Sequence, residues 1–100
     1  MAKALWFQDD DTGYLAWLHD NPAGFVLNTY RNPSARYLVL HRASCRTIRV
    51  PQTEPGGFTA RGYAKVCAGS PGDLLDFILA WTDADGFSKP CGLCQPTGPQ

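Results

Sequence analysis

Cys91 and Cys94 form a C-x2-C knuckle between Pro90 and Pro96 near the end of this 100-residue chain. Two thiols from one tight turn can grip one metal ion, but a structural zinc site takes four ligands. A chain using the knuckle that way must therefore fold so that two more donors arrive from far away in sequence. His41 and Cys45, three residues apart in Leu40-His41-Arg42-Ala43-Ser44-Cys45-Arg46, are the candidates. Cys67 is the rival fourth ligand, although a free cysteine in a strand is commonly a small buried hydrophobe. A thioredoxin-like redox pair should precede a helix, whereas this knuckle follows one and leads into a proline-containing tail.

Met1 to Phe7 contains one lysine and a short apolar run, unlike a secretory leader, and no stretch approaches ~18 consecutive apolar residues. A soluble, cytoplasmic setting is expected, and there a C-x2-C with a nearby His and Cys suits metal better than disulfides. The 44% hydrophobic content suits one small domain over residues 1–96 with a frayed tail at 97–100. Small domains are stable by only ~5–15 kcal/mol, so a metal clip worth an apparent ~10–16 kcal/mol can decide whether such a chain folds.

Asp9, Asp10, Asp11 and Thr12 offer N-cap oxygens, and Tyr14, Leu15, Trp17 and Leu18 make one apolar helical face that Asn21-Pro22 ends. His19 belongs to the end of that helix, where a structural role is expected. Before it, residues 3–8 read as an edge strand turning Leu5 or Trp6 inward. Residues 24–30 and 37–41 read as a β-hairpin, with the first helix over its more buried face. Pro51 to Gly57 reads as a loop, residues 58–68 hold a third strand containing Cys67, and Ser70-Pro71 opens a second helix. Leu74, Leu75, Phe77, Ile78 and Trp81 should form the core stripe of that helix. The fold class is thus α+β: a small antiparallel sheet and two helices, closed by a zinc site at His41, Cys45, Cys91 and Cys94.

A ligand-x3-Cys turn with basic flanks, followed by a strand, a helix and the run Phe87-Ser-Lys-Pro-Cys-Gly-Leu-Cys-Gln-Pro96, resembles the zinc-binding N-terminal module of the Ada DNA-repair methyltransferase and related nuclease-associated modules. The likeness extends over residues 24–96 and rests on two short motifs. It implies a zinc-dependent fold and DNA contact. In the Ada module the first ligand of the x3 turn is a methyl-accepting cysteine. That position is His41 here, and an imidazole cannot perform thiolate chemistry. Methyl transfer is not expected.

The net charge of zero conceals segregation. Between residues 31 and 65 seven basic residues face Glu54 alone, a net of +6, while eight aspartates outside that segment outnumber Lys3 and Lys89 by 6. Such asymmetry suits either a polyanion-facing surface or internal charge pairing. No Ser/His/Asp set, phosphate loop or carboxylate pair indicates an enzyme. The expected function is a non-enzymatic zinc module binding nucleic acid, DNA in preference, through Arg31, Arg36, Arg42, Arg46, Arg49 and Arg61, with Tyr30 or Tyr37 available to stack on bases. The alternative is a regulatory protein that binds a protein partner, with Trp6, Trp17 and Trp81 as anchors.

Overall fold

The computed structural model describes residues 4–48, 59 and 62–92. Five strands form one sheet in the order β1-β4-β2-β3-β5. They are β1 (Ala4–Phe7), β2 (Phe25–Tyr30), β3 (Leu38–Arg42), β4 (Tyr63–Ala68) and β5 (Lys89–Pro90), with helices α1 (Asp11–Asp20) and α2 (Pro71–Trp81). The result is an α+β fold with a mixed sheet, since β5 runs parallel to β3 and every other pairing is antiparallel.

Local chemistry accounts for both helices. Asp10 caps α1, its carboxylate accepting from the Gly13 amide at 2.9 Å. Asn21 closes the helix by donating its side-chain amide to the Trp17 carbonyl, and Pro22 follows. At α2, Ser70 accepts from the Asp73 amide and Pro71 occupies the first turn. Buried Thr59 clasps the entry of α1 from a distant part of the chain: its hydroxyl receives the Asp10 amide and donates to Asp11, and its own amide donates to Asp11 at 2.9 Å.

The sheet is covered on both faces. On one, Tyr14 and Leu18 of α1 pack with Val26, Val39, Ala43, Ile48 and Cys67; on the other, Leu74 and Ile78 of α2 pack with Leu27, Leu38, Leu40, Val66 and Ala68. As expected, one hairpin face is the more buried, that of Phe25, Leu27 and Thr29, while Val26, Asn28 and Tyr30 run from buried to exposed on the other. The helix over the more buried face is α2, however, and not the first helix. Alternate residues of β2 point to opposite faces, and each face meets a different helix. Two core assignments change as well. Leu5 and Trp6 are exposed on the edge strand, where Phe7 packs on Tyr14 instead. Trp81, at the last turn of α2, is 67% exposed and lies outside the core.

Gly24 stands where the chain leaves α1 for β2. A Cβ there would lie 2.6 Å from the Trp17 ring and 3.1 Å from the Ala68 carbonyl. Lys65 is the buried cation of the sheet: its ammonium donates to Asn28 Oδ1 at 2.9 Å, and burial lowers its pKa to about 8 despite the opposing pull of Asp11. The loop at 51–57 and the tail at 97–100 lie outside the described residues.

Two outcomes are expected. Gly24→Ala should cost about 1–3 kcal/mol in denaturant unfolding, because the new methyl overpacks Trp17 and backbone. Lys65 binds its proton more weakly folded than unfolded, so between its folded pKa of about 8 and its ordinary value of 10.5 the unfolded chain holds more protons and stability rises with pH. Below that window the whole desolvation cost remains; across it, unfolding free energy should rise by on the order of 3 kcal/mol relative to Lys65→Met.

Candidate metal centre

β3 delivers His41 to the α1 face of the sheet, opposite Val26 of β2. The chain then turns through Ala43 and Ser44, the Cys45 amide donating to the Arg42 carbonyl at 3.0 Å, and enters a short 3-10 turn at Arg46–Ile48. That reversal folds Cys45 back beside the histidine. The x3 spacing between the two donors is the length of this turn.

Cys91 arrives by a route with no local signal in the sequence. β5 adds to the free edge of β3 with Lys89 opposite Val39 and Pro90 opposite Leu40. Pro90 has no N–H, so the bonds to β3 straddle it: Ser88 N–H to the Leu38 carbonyl at 2.9 Å, and Cys91 N–H to the Leu40 carbonyl at 2.8 Å. The Ser88 hydroxyl also accepts from the Leu38 amide at 2.8 Å. Cys91 thereby lies level with His41.

The ligand atoms of His41, Cys45 and Cys91 all fall within 4.8 Å of one another, and the three residues can hold a metal ion. The two sulfurs are 3.9 Å apart. A disulfide is ~2.05 Å long, whereas two thiolates bound at ~2.3 Å to one tetrahedral ion lie roughly 3.8 Å apart. Burial, assisted by the charge of Lys65, lowers the His41 pKa to about 4, so the ring is neutral at physiological pH, as a ligand must be. Its Nδ1 is buried and has no hydrogen-bond partner among the described residues. A buried polar atom left that way is costly, and a metal or a further donor at the group would relieve the cost.

Cys67 does not join the group. It sits on β4 opposite Val26, so a whole strand separates it from His41, and neighbouring strands lie ~4.8 Å apart. It is fully buried, and burial pushes its thiol pKa far upward, as for an inert core residue. His19 is exposed beside Asp20 at the end of α1. Cys94, Arg49 and Arg61 lie outside the described residues. Of the remaining arginines, Arg42 and Arg46 bracket Cys45. Arg31 and Arg36 flank the β2–β3 connection at the other end of β3, where Arg31 forms a two-pronged ion pair with Asp9.

Beside the group lies a cavity of about 570 Å³, lined among the described residues by Asn28, Tyr37, Val39, His41, Lys89 and Cys91 with their neighbours. Sequence reasoning gave Asn28 and Lys89 no role. For Asn28 the available signal was two-residue alternation along β2, which places it on the same face as Val26; Lys89 reaches the cavity only through the pairing of β5 with β3.

No helix among the described residues is long and apolar enough to cross a membrane. No family model, curated protein or solved structure matches this chain.

Cobalt(II) added to the reduced protein is expected to give thiolate-to-metal absorption. Cys45→Ser and Cys91→Ser should each abolish or strongly weaken it, whereas Cys67→Ser should leave it intact.

Proposed function

We propose that the protein is a non-enzymatic zinc module that binds nucleic acid, with the ion held by His41, Cys45, Cys91 and Cys94. The observation that carries this reading is the convergence of the first three donors from a strand, a turn and an edge pairing. Mixed imidazole and thiolate donors suit zinc, and the knuckle provides the fourth ligand three residues after Cys91. The role of the ion is to fasten the C-terminal segment to β3 and to fix the turn that carries Arg42 and Arg46. This arrangement accords with the resemblance to the Ada zinc module, with His41 in the place of its methyl acceptor.

Arg42 and Arg46, joined in sequence by Arg49, form the phosphate-binding edge next to the ion, and Arg36 extends it at the far end of β3. Guanidinium groups pair bidentately with phosphate. Arg31 contributes less, being engaged with Asp9. The same ion pair supports the view that part of the charge segregation serves internal pairing.

A second reading has its own observation. Trp6, Phe77 and Trp81 form an aromatic ladder with centroid separations of 5.8 and 6.1 Å, bordering an apolar cavity of about 560 Å³ with Ala4, Arg31 and Pro33. Exposed aromatics beside a cavity suit a protein partner. Under that reading the zinc is purely structural.

Elemental analysis should find one zinc per chain, lost in His41→Ala and retained in Cys67→Ala. Fluorescence titration with DNA and RNA at low and moderate salt should show binding that weakens as salt rises. Arg42→Ala combined with Arg46→Ala should lower the slope of log K against log salt by about 1–2. A metal-free protein that folds normally would remove the zinc premise. A zinc-loaded protein with no affinity for either nucleic acid at low salt would leave the protein-partner reading.

A further inference from the structure

The face that carries His41 continues away from the metal group as two further rows of side chains. Strand register aligns Cys67, Val26 and His41 in one row, then Lys65, Asn28 and Val39, then Tyr63 and Tyr30 with Tyr37 beside them. α1 packs over the first row. The third remains open, with Tyr30 and Tyr63 38% and 39% exposed.

The three tyrosines touch one another. Tyr30 stacks on Tyr37 with centroids 5.0 Å apart and ring planes 17° from parallel, and Tyr63 lies 5.8 and 5.6 Å from these two. The middle row holds Tyr37 in place. Lys65 donates to Asn28 Oδ1, and Asn28 Nδ2 donates to the Tyr37 hydroxyl at 3.1 Å. The ring is thus positioned before any ligand arrives, which lowers the ordering cost of binding. Tyr37 also lines the cavity of about 570 Å³, where Lys89 supplies a cation.

We propose that this tyrosine row and the adjoining cavity form a site for unpaired nucleobases, making the ligand a single-stranded nucleic acid. The assignment rests on the nucleic-acid reading above and narrows it. One base stacks on the exposed rings of Tyr30 and Tyr63, a neighbouring base enters the cavity against Tyr37, and Lys89 and Arg36 take the flanking phosphates. Duplex bases are excluded because their ring faces are already stacked on one another and only their edges reach a groove. Base–aromatic stacking tolerates any sequence, so the site carries affinity with little sequence preference.

Three labelled ligands of ~12 nucleotides separate the possibilities in anisotropy titrations on the zinc-loaded full chain: a single-stranded oligonucleotide, its duplex, and an abasic strand with the same phosphates. The single strand should bind at least about tenfold more tightly than the abasic strand or the duplex. Tyr30→Ala should weaken single-strand binding by about 5–100-fold while leaving abasic binding unchanged, and Tyr30→Phe should restore it. Equal affinity for the single and abasic strands in the unaltered protein, or a Tyr30→Ala variant that binds single strands normally, would overturn the base-stacking site and leave phosphate binding standing. Absence of binding to all three ligands would overturn both this site and the nucleic-acid reading.

Discussion

The amide of Cys91, donating to the carbonyl of Leu40, is the contact on which the rest of the site depends. It belongs to a two-residue parallel pairing at the sheet edge, interrupted by a proline that cannot donate. Each such hydrogen bond contributes only ~1 kcal/mol net, too little to hold a strand this short unaided. A metal bridging Cys91 to His41 and Cys45 would close the same junction with far more energy. Strand pairing and ligand convergence therefore support each other: the pairing brings the sulfur level with the imidazole, and the ion would keep the pairing closed.

The sheet between the helices divides two kinds of work. On the α2 face the rows are apolar, with Leu27, Leu38, Leu40 and Val66 packed under Leu74 and Ile78. The α1 face also carries the buried ionisable groups, His41 and Lys65, together with Asn28 and the tyrosine row. Burial lowers the pKa of both His41 and Lys65, so this face bears the cost of desolvating two basic groups, whereas on the other face the buried polar side chain is the neutral Thr29. That cost falls beside a cavity and the His41–Cys45–Cys91 group, and the largely apolar α2 face supplies stability to offset it.

Charge follows the same logic. The basic middle segment and its acidic flanks meet at Arg31 and Asp9, and Asp11 acts on Lys65 from the start of α1. Arg42 and Arg46 lie at the opposite end of β3 from that junction, in the turn that carries Cys45. A chain of zero net charge therefore still carries two arginines around Cys45 of the His41–Cys45–Cys91 group.

The sequence by itself determined the elements whose signals act within a few residues. Asp10 and Ser70-Pro71 start the two helices, Asn21-Pro22 ends the first, and β-branched and aromatic runs mark β2, β3 and β4, since capping and proline sterics are local effects. His41, Cys45 and Cys91 were legible as candidate ligands from their residue types and spacing, whereas Cys94 lies outside the described residues. Only the tertiary structure decided how they meet. Lys89-Pro90 pairs with β3 although proline argues against a strand, the two helices take opposite faces of the hairpin, Trp81 stays outside the core, and Cys67 is held a strand away from His41. These outcomes depend on register between segments up to about fifty residues apart, which only strand pairing fixes. The C-x2-C spacing raised the expectation of ligands distant in sequence; the edge pairing of β5 brings Cys91 within reach of His41 and Cys45.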